Sequence, residues 1–296
     1  MSKRISAIAL CLCLLVSAQA SVAQAPGPHL LWLSTQAKDL TFPKVPTPLP
    51  NLPRVGIYKP DGPGPFPALI LHHHCGPLKI DRPMLDWAKL AVKRGYVAFL
   101  IDSLGPRGVD TVCMAVKGHV YFSRGVRDAL QAAQHLRGFD FVDKNRIAHA
   151  GFSWGAMVGV MASSRSYSSL VGIEGGISAF VSFYPGCYTI KPPTGPSYEI
   201  VYSDIAVPLL VLMGGKDTET PPSDCAPRLE KVRSAGAPVE WHVYPEATHC
   251  WDCSQLNGFS KIAFNGKQVV YRYDDAVTKD SGRRMFEFLE REWAKR

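Results

Sequence analysis

Short apolar runs alternate with stretches of helical periodicity along most of this chain, and that alternation restricts its fold more than any other feature. Runs at 54–58, 67–72, 96–101, 146–150, 180–184, 208–213 and 239–244 read as strands. Between them 83–94, 120–136, 154–162 and 224–234 read as helices, and 283–293 closes the chain as another. In the first helix Met84, Leu85, Trp87, Ala88 and Ala91 fall on one side, the spacing of a helix packed on a sheet. Strands apolar on both faces and joined by crossover helices form a mostly parallel, doubly wound α/β sheet flanked by helices. Two interruptions, 188–203 and 254–280, are long enough to be functional loops or a small cap. No repeat or linker divides the remainder, so 54–296 is expected to be one domain.

Residues 21–53 precede that pattern and carry Pro43, Pro46, Pro48, Pro50 and Pro53. Prolines remove ladder donors, so the segment is expected to be an extended arm wrapped on the domain. Ahead of it, Lys3 and Arg4, the apolar stretch 5–16 and Ala18-Gln19-Ala20 make the charged, apolar and small-residue parts of a secretory signal peptide, 1–20. Cleavage after Ala20 is favoured over Ala25, which would leave Pro26 first. An exported chain, periplasmic or secreted and free of the membrane after cleavage, is the expectation. The formal charge is +8, from 33 Lys and Arg against 25 Asp and Glu, and the cations are scattered rather than clustered, which argues against a nucleic-acid partner.

The 8 cysteines include Cys11 and Cys13 in the leader, leaving Cys75, Cys113, Cys187, Cys225, Cys250 and Cys253. An even set in an oxidising compartment suggests disulfides. Cys187 ends one core strand and Cys225 opens the helix after the next. Sequential strands are often neighbours, so this is the first pairing expected. Cys75 with Cys113 comes second and Cys250 with Cys253 third.

Gly151-Phe152-Ser153-Trp154-Gly155 lies between a strand and a helix. That context suits a nucleophile on a tight turn, with small neighbours where backbone crowds it. A serine hydroxyl needs a base held in orientation by a carboxylate. Asp217 follows the strand 208–213 and His249 follows the strand 239–244, giving the order Ser153, Asp217, His249. Glu246 and Asp252 are rival acids, and His242 is a rival base. Acyl transfer also needs amide donors for the oxyanion. Trp154 supplies one, and the loop His72-His73-His74-Cys75-Gly76-Pro77 supplies the other through Cys75 or, as runner-up, His74.

These motifs, with Asp102-Ser103-Leu104-Gly105-Pro106-Arg107-Gly108, resemble the dienelactone hydrolase family of α/β-hydrolases over roughly 54–294. The resemblance implies the α/β-hydrolase fold and a hydrolase of small-molecule carboxylic esters or lactones that needs no metal and no organic cofactor. The family's namesake enzymes carry Cys where this chain has Ser153, so the resemblance is to serine-containing, exported relatives. A catalytically silent binding protein on the same fold is the alternative.

Three consecutive histidines invite a metal reading, but successive side chains of an extended segment point to opposite faces and do not converge on one ion. Cys250-Trp251-Asp252-Cys253 lacks the helix-start context of a thioredoxin-like redox pair. Arg107 is the candidate for binding a substrate carboxylate, with anchoring of its own loop as the alternative.

Overall fold

The computed structural model describes residues 27–170, 176–192 and 195–296. The expected leader, 1–20, lies outside them. Seven strands form the main sheet in the order β1-β3-β2-β4-β5-β8-β9. They are β1 (Gly56–Tyr58), β2 (Phe66–His72), β3 (Val97–Ile101), β4 (Val142–Phe152), β5 (Ala179–Phe183), β8 (Leu209–Gly214) and β9 (Val239–Tyr244). Only the edge strand β1 runs antiparallel to its neighbour. The other pairs in the sheet are parallel.

Alternate side chains of β2 enter opposite layers. Ala68 and Ile70 pack with Ala129 and Val158 of α3 (Phe122–Leu136) and α4 (Trp154–Ala162). Leu69 and Leu71 pack instead with Trp87 of α2 (Arg82–Lys93) and with Phe286 and Leu289 of α7 (Asp275–Ala294). Each fully buried Leu, Ile or Phe contributes roughly 1.5–3 kcal/mol through removal from water, so two such layers hold the strand ends in a rigid frame. The short helix α5 (Arg165–Leu170) and the helix α6 (Pro222–Ser234) complete the covering. The site lies where doubly wound sheets place theirs, at the carboxyl ends of the parallel strands. Among the described residues no helix is long and apolar enough to cross a membrane.

The structure corrects two expectations and adds detail to a third. The arm is not wholly extended: α1 (Pro28–Thr35) is helical, with Leu30 and Leu33 buried in the core. Proline at a helix start loses no needed hydrogen bond, and the clustered prolines begin only at Pro43. The last helix begins at Asp275, not near 283, because the Asp274 carboxylate caps it by accepting from the Val277 amide at 2.9 Å. Finally, both interruptions contain paired strands, β6 (Thr189–Ile190) with β7 (Tyr198–Glu199) and β10 (Ser260–Ile262) with β11 (Gln268–Val270).

Candidate active site

Ser153 sits between β4 and α4 with φ 50° and ψ −108°, a left-handed conformation that is strained for any residue with a Cβ. Its amide donates to the Phe183 carbonyl at 2.9 Å, which ties the turn to the neighbouring strand. The two flanking glycines are sterically required. A Cβ on Gly151 would overlap the Gly155 carbonyl, and one on Gly155 would overlap the His72 carbonyl of β2. Backbone from three directions therefore presses on the turn that presents the hydroxyl.

The loops after β8 and β9 bring Asp217 and His249 to it. Ser153 Oγ is 3.0 Å from His249 Nε2, and His249 Nδ1 is 2.7 Å from Asp217 Oδ2. Asp217 also accepts from the amides of Glu219 and Thr220, each at 2.8 Å, and lies 2.8 Å from the Thr220 hydroxyl. Burial opposes the charged form of both partners. It is outweighed by their mutual attraction and hydrogen bond, so the Asp217 carboxyl stays below the usual carboxylate range and His249 is raised above the ordinary imidazole value, with Glu219 adding to the rise.

The three rivals face elsewhere. Glu246 pairs with Lys216 at the surface. Asp252 accepts from Trp87 Nε1 at 2.8 Å and from the Tyr184 hydroxyl at 2.7 Å. The ring of His242 packs on Tyr244 in β9.

The dienelactone hydrolase family model matches residues 54–293. The chain belongs to the dienelactone hydrolase family. Membership makes it a carboxylic ester hydrolase. A Yersinia pestis protein bearing the name "Putative carboxymethylenebutenolidase" is 25% identical over 209 residues, 66% of this chain and 73% of that protein. Among solved structures, a thermophilic esterase from the Planctomycetes species Thermogutta terrifontis with propionate bound superposes with a TM-score of 0.60 at 17% identity, covering 87% of this chain and 95% of the other. MGS-M1, an α/β hydrolase enzyme from a deep-sea metagenome library, gives 0.53 at 22% identity over 76% and 85% of the two chains. These likenesses show the α/β-hydrolase fold.

In this dienelactone hydrolase family member the three histidines after β2 turn to three different partners. His72 Nε2 donates to Ser103 Oγ at 2.9 Å, and its Nδ1 is 3.2 Å from His149 Nε2. His73 Nε2 accepts from the Ser103 amide at 3.0 Å. His74 bridges Asp81 and the Tyr184 hydroxyl, at 2.5 and 2.9 Å. One donor set does gather: His74 Nε2, Asp252 and the sulfurs of Cys250 and Cys253 lie within 4.8 Å of one another. The two sulfurs are joined in a disulfide, leaving one imidazole and one carboxylate as ligands. The other disulfides are Cys75–Cys113 and Cys187–Cys225, so every cysteine among the described residues is paired.

Arg107 does not line the pocket around Ser153. Its guanidinium donates bidentately to Asp128 at 2.7 and 2.8 Å, and to the carbonyls of Ser103 and Lys38. Its substrate-binding role is withdrawn in favour of loop anchoring, because a buried carboxylate already fills its fork. The sequence reading also missed Glu219. This buried carboxylate lies 3.9 Å from His249 Nε2 and accepts from Lys261 and from the Tyr271 hydroxyl, each at 2.8 Å. Its only signal was its place two residues beyond Asp217.

Ser153 and His249 open onto a cavity of about 290 Å³. Cys75 and Cys113, joined by their disulfide, line it, as do residues of the segment between β9 and β11.

Proposed function

We propose that this chain is a serine hydrolase cleaving carboxylic esters or lactones through an acyl-enzyme. Ser153 Oγ attacks the substrate carbonyl while its proton passes to His249 Nε2. Collapse of the tetrahedral adduct expels the alkoxide, which takes that proton. Water then attacks the acyl-enzyme, again giving a proton to His249, and Ser153 leaves as the hydroxyl. Asp217 holds Nδ1–H and stabilises the imidazolium. The amides of Trp154 and Cys75 are assigned to the oxyanion, and the positive end of α4 adds to that stabilisation.

The observation that carries this reading is the continuous chain from Ser153 Oγ through both nitrogens of His249 to Asp217, at 3.0 and 2.7 Å, opening on a cavity. The names of the relatives add lactones to the substrates worth testing. Export through a cleaved leader, 1–20, belongs to the same reading and is supported by the disulfides.

The test is turnover of p-nitrophenyl butyrate. A burst of p-nitrophenol equal to one equivalent of enzyme is expected, and Ser153→Ala should lower kcat by about 10⁴- to 10⁶-fold with an unchanged circular dichroism spectrum. A Ser153→Ala protein retaining more than about a tenth of wild-type activity, far above that triad scale, overturns the assignment. A folded wild type that turns over no ester returns the silent binding protein.

A further inference from the structure

The pocket is apolar at its mouth. Ile80, Met114 and Phe259 line it while remaining 65%, 64% and 46% exposed, and Leu256 lies beside them. Large apolar side chains gathered at the rim of a cavity mark a surface that binds apolar groups.

The charges within the pocket are already matched to one another. Lys261 lines it, but its ammonium sits 2.8 Å from Glu219 and over the ring of Tyr271 at 5.4 Å. His74 shares its hydrogen bond with Asp81, and His249 is committed to Asp217. Arg107 is locked on Asp128 away from the cavity. Asp81, a lining residue, keeps its Oδ1 buried without a partner. An entering carboxylate would therefore lose its water, find no unmatched cation, and meet Asp81 in the lining and the charge of Glu219, which is bonded to the lining residues Lys261 and Tyr271.

We propose that this pocket selects esters with an apolar, uncharged acyl group and rejects those bearing a carboxylate, and that Glu219 is the residue setting this selectivity. The proposal rests on the serine hydrolase reading for its reaction and on the matched charges for its content. Glu219 acts twice: it neutralises Lys261, and it places a negative charge beside the reacting centre, 3.9 Å from His249 Nε2. The selectivity separates this chain from any enzyme whose pocket offers an open cation to an anionic substrate.

The experiment compares kcat/KM for p-nitrophenyl heptanoate with that for mono-p-nitrophenyl adipate, two acyl chains of similar length that differ by a terminal carboxylate. The wild type should prefer the heptanoate by at least about 100-fold, the scale of an unpaired charge taken out of water. Glu219→Gln, which removes one negative charge and frees Lys261, should reduce that preference at least about tenfold. Lys261→Met, which leaves Glu219 unopposed, should increase it. The ratio cancels any loss of kcat common to both esters. A wild-type preference below about threefold, or a ratio unmoved by Glu219→Gln, overturns the charge selection while leaving the serine reading standing. Both esters hydrolysed by Ser153→Ala with the expected preference would overturn the serine reading and uphold the selection. Absence of turnover for both esters overturns both.

Discussion

Asp128 is the position where a single atom exchange should do most damage to this fold. It lies on α3 with its carboxylate fully buried between two guanidiniums, Arg107 at 3% and Arg124 at 1% side-chain exposure. Five bonds converge on it: two from Arg107 at 2.7 and 2.8 Å, two from Arg124 at 2.9 and 2.6 Å, and one from the Ser103 hydroxyl at 2.7 Å. Through the same two arginines it holds the carbonyls of Ser34, Ala37 and Lys38, which fasten the N-terminal segment to the domain. Asp128→Asn keeps the volume but removes the charge, leaving the buried Arg107 guanidinium without its carboxylate and Arg124 with only the exposed Asp39, at 2.8 Å, as counter-ion. Breaking a buried pair in this way costs about 3–5 kcal/mol. At roughly 2–4 °C per kcal/mol for a domain of this size, Tm should fall by roughly 6–20 °C. Differential scanning calorimetry measures it directly, and urea unfolding should show a lower midpoint at an unchanged m-value. A triple replacement, Asp128→Leu with Arg107→Met and Arg124→Met, should be less destabilised than Asp128→Asn, because no uncompensated charge remains. A Tm change in Asp128→Asn below about 2 °C, less than 1 kcal/mol, would refute the reasoning.

Other consequences can be checked in parallel. In the proposed mechanism His249 acts as base only when neutral, and its pKa is raised, so kcat/KM should rise with pH through a midpoint above the ordinary imidazole value of about 6.5. Glu219 contributes to that rise, so Glu219→Gln should move the midpoint down; an unmoved midpoint would contradict the contact. The imidazolium's contribution to stability should be complete below about pH 6.5 and vanish as pH climbs through the folded value. Gly155→Ala forces a Cβ into the His72 carbonyl and should be destabilised by about 3 kcal/mol or more, with esterase activity lost. Gly76→Ala meets nothing within 4 Å and should stay within about 0.5 kcal/mol of wild type by urea unfolding. Cys187→Ser with Cys225→Ser opens a 38-residue separation and should cost about 4 kcal/mol on the chain-entropy account. Unchanged calorimetry there would remove the disulfide's structural role.

The sheet was legible because its strands are apolar on both faces and closely bounded by Gly, Pro and helical periodicity; β2, β3, β5, β8 and β9 all fall on runs read from the sequence. The positions of Ser153, Asp217 and His249 followed from the same frame, since each stands just after a strand. What stayed hidden depends on partners far along the chain. Arg124 and Asp128 occupy the buried face of α3, where amphipathic reasoning expects apolar side chains, and they are tolerated because Arg107 from another loop and Asp39 of the arm complete the pairing. Nothing in the sequence near Glu219 marks it, because its partners Lys261 and Tyr271 arrive from 42 and 52 residues away. The helix α1 was obscured by prolines that lie beyond it: Leu30 and Leu33 point into the core, but a stretch of eight residues offers too few turns to outweigh them.

The most direct test of the account is covalent labelling of the folded wild-type protein with a fluorophosphonate, read by intact mass and peptide mapping. We expect one adduct per chain, on Ser153, forming at the rate at which esterase activity disappears, with no adduct on Ser153→Ala. An enzyme that stays active while unlabelled, or that is inactivated by an adduct on another residue, would contradict the assignment of Ser153 as the nucleophile.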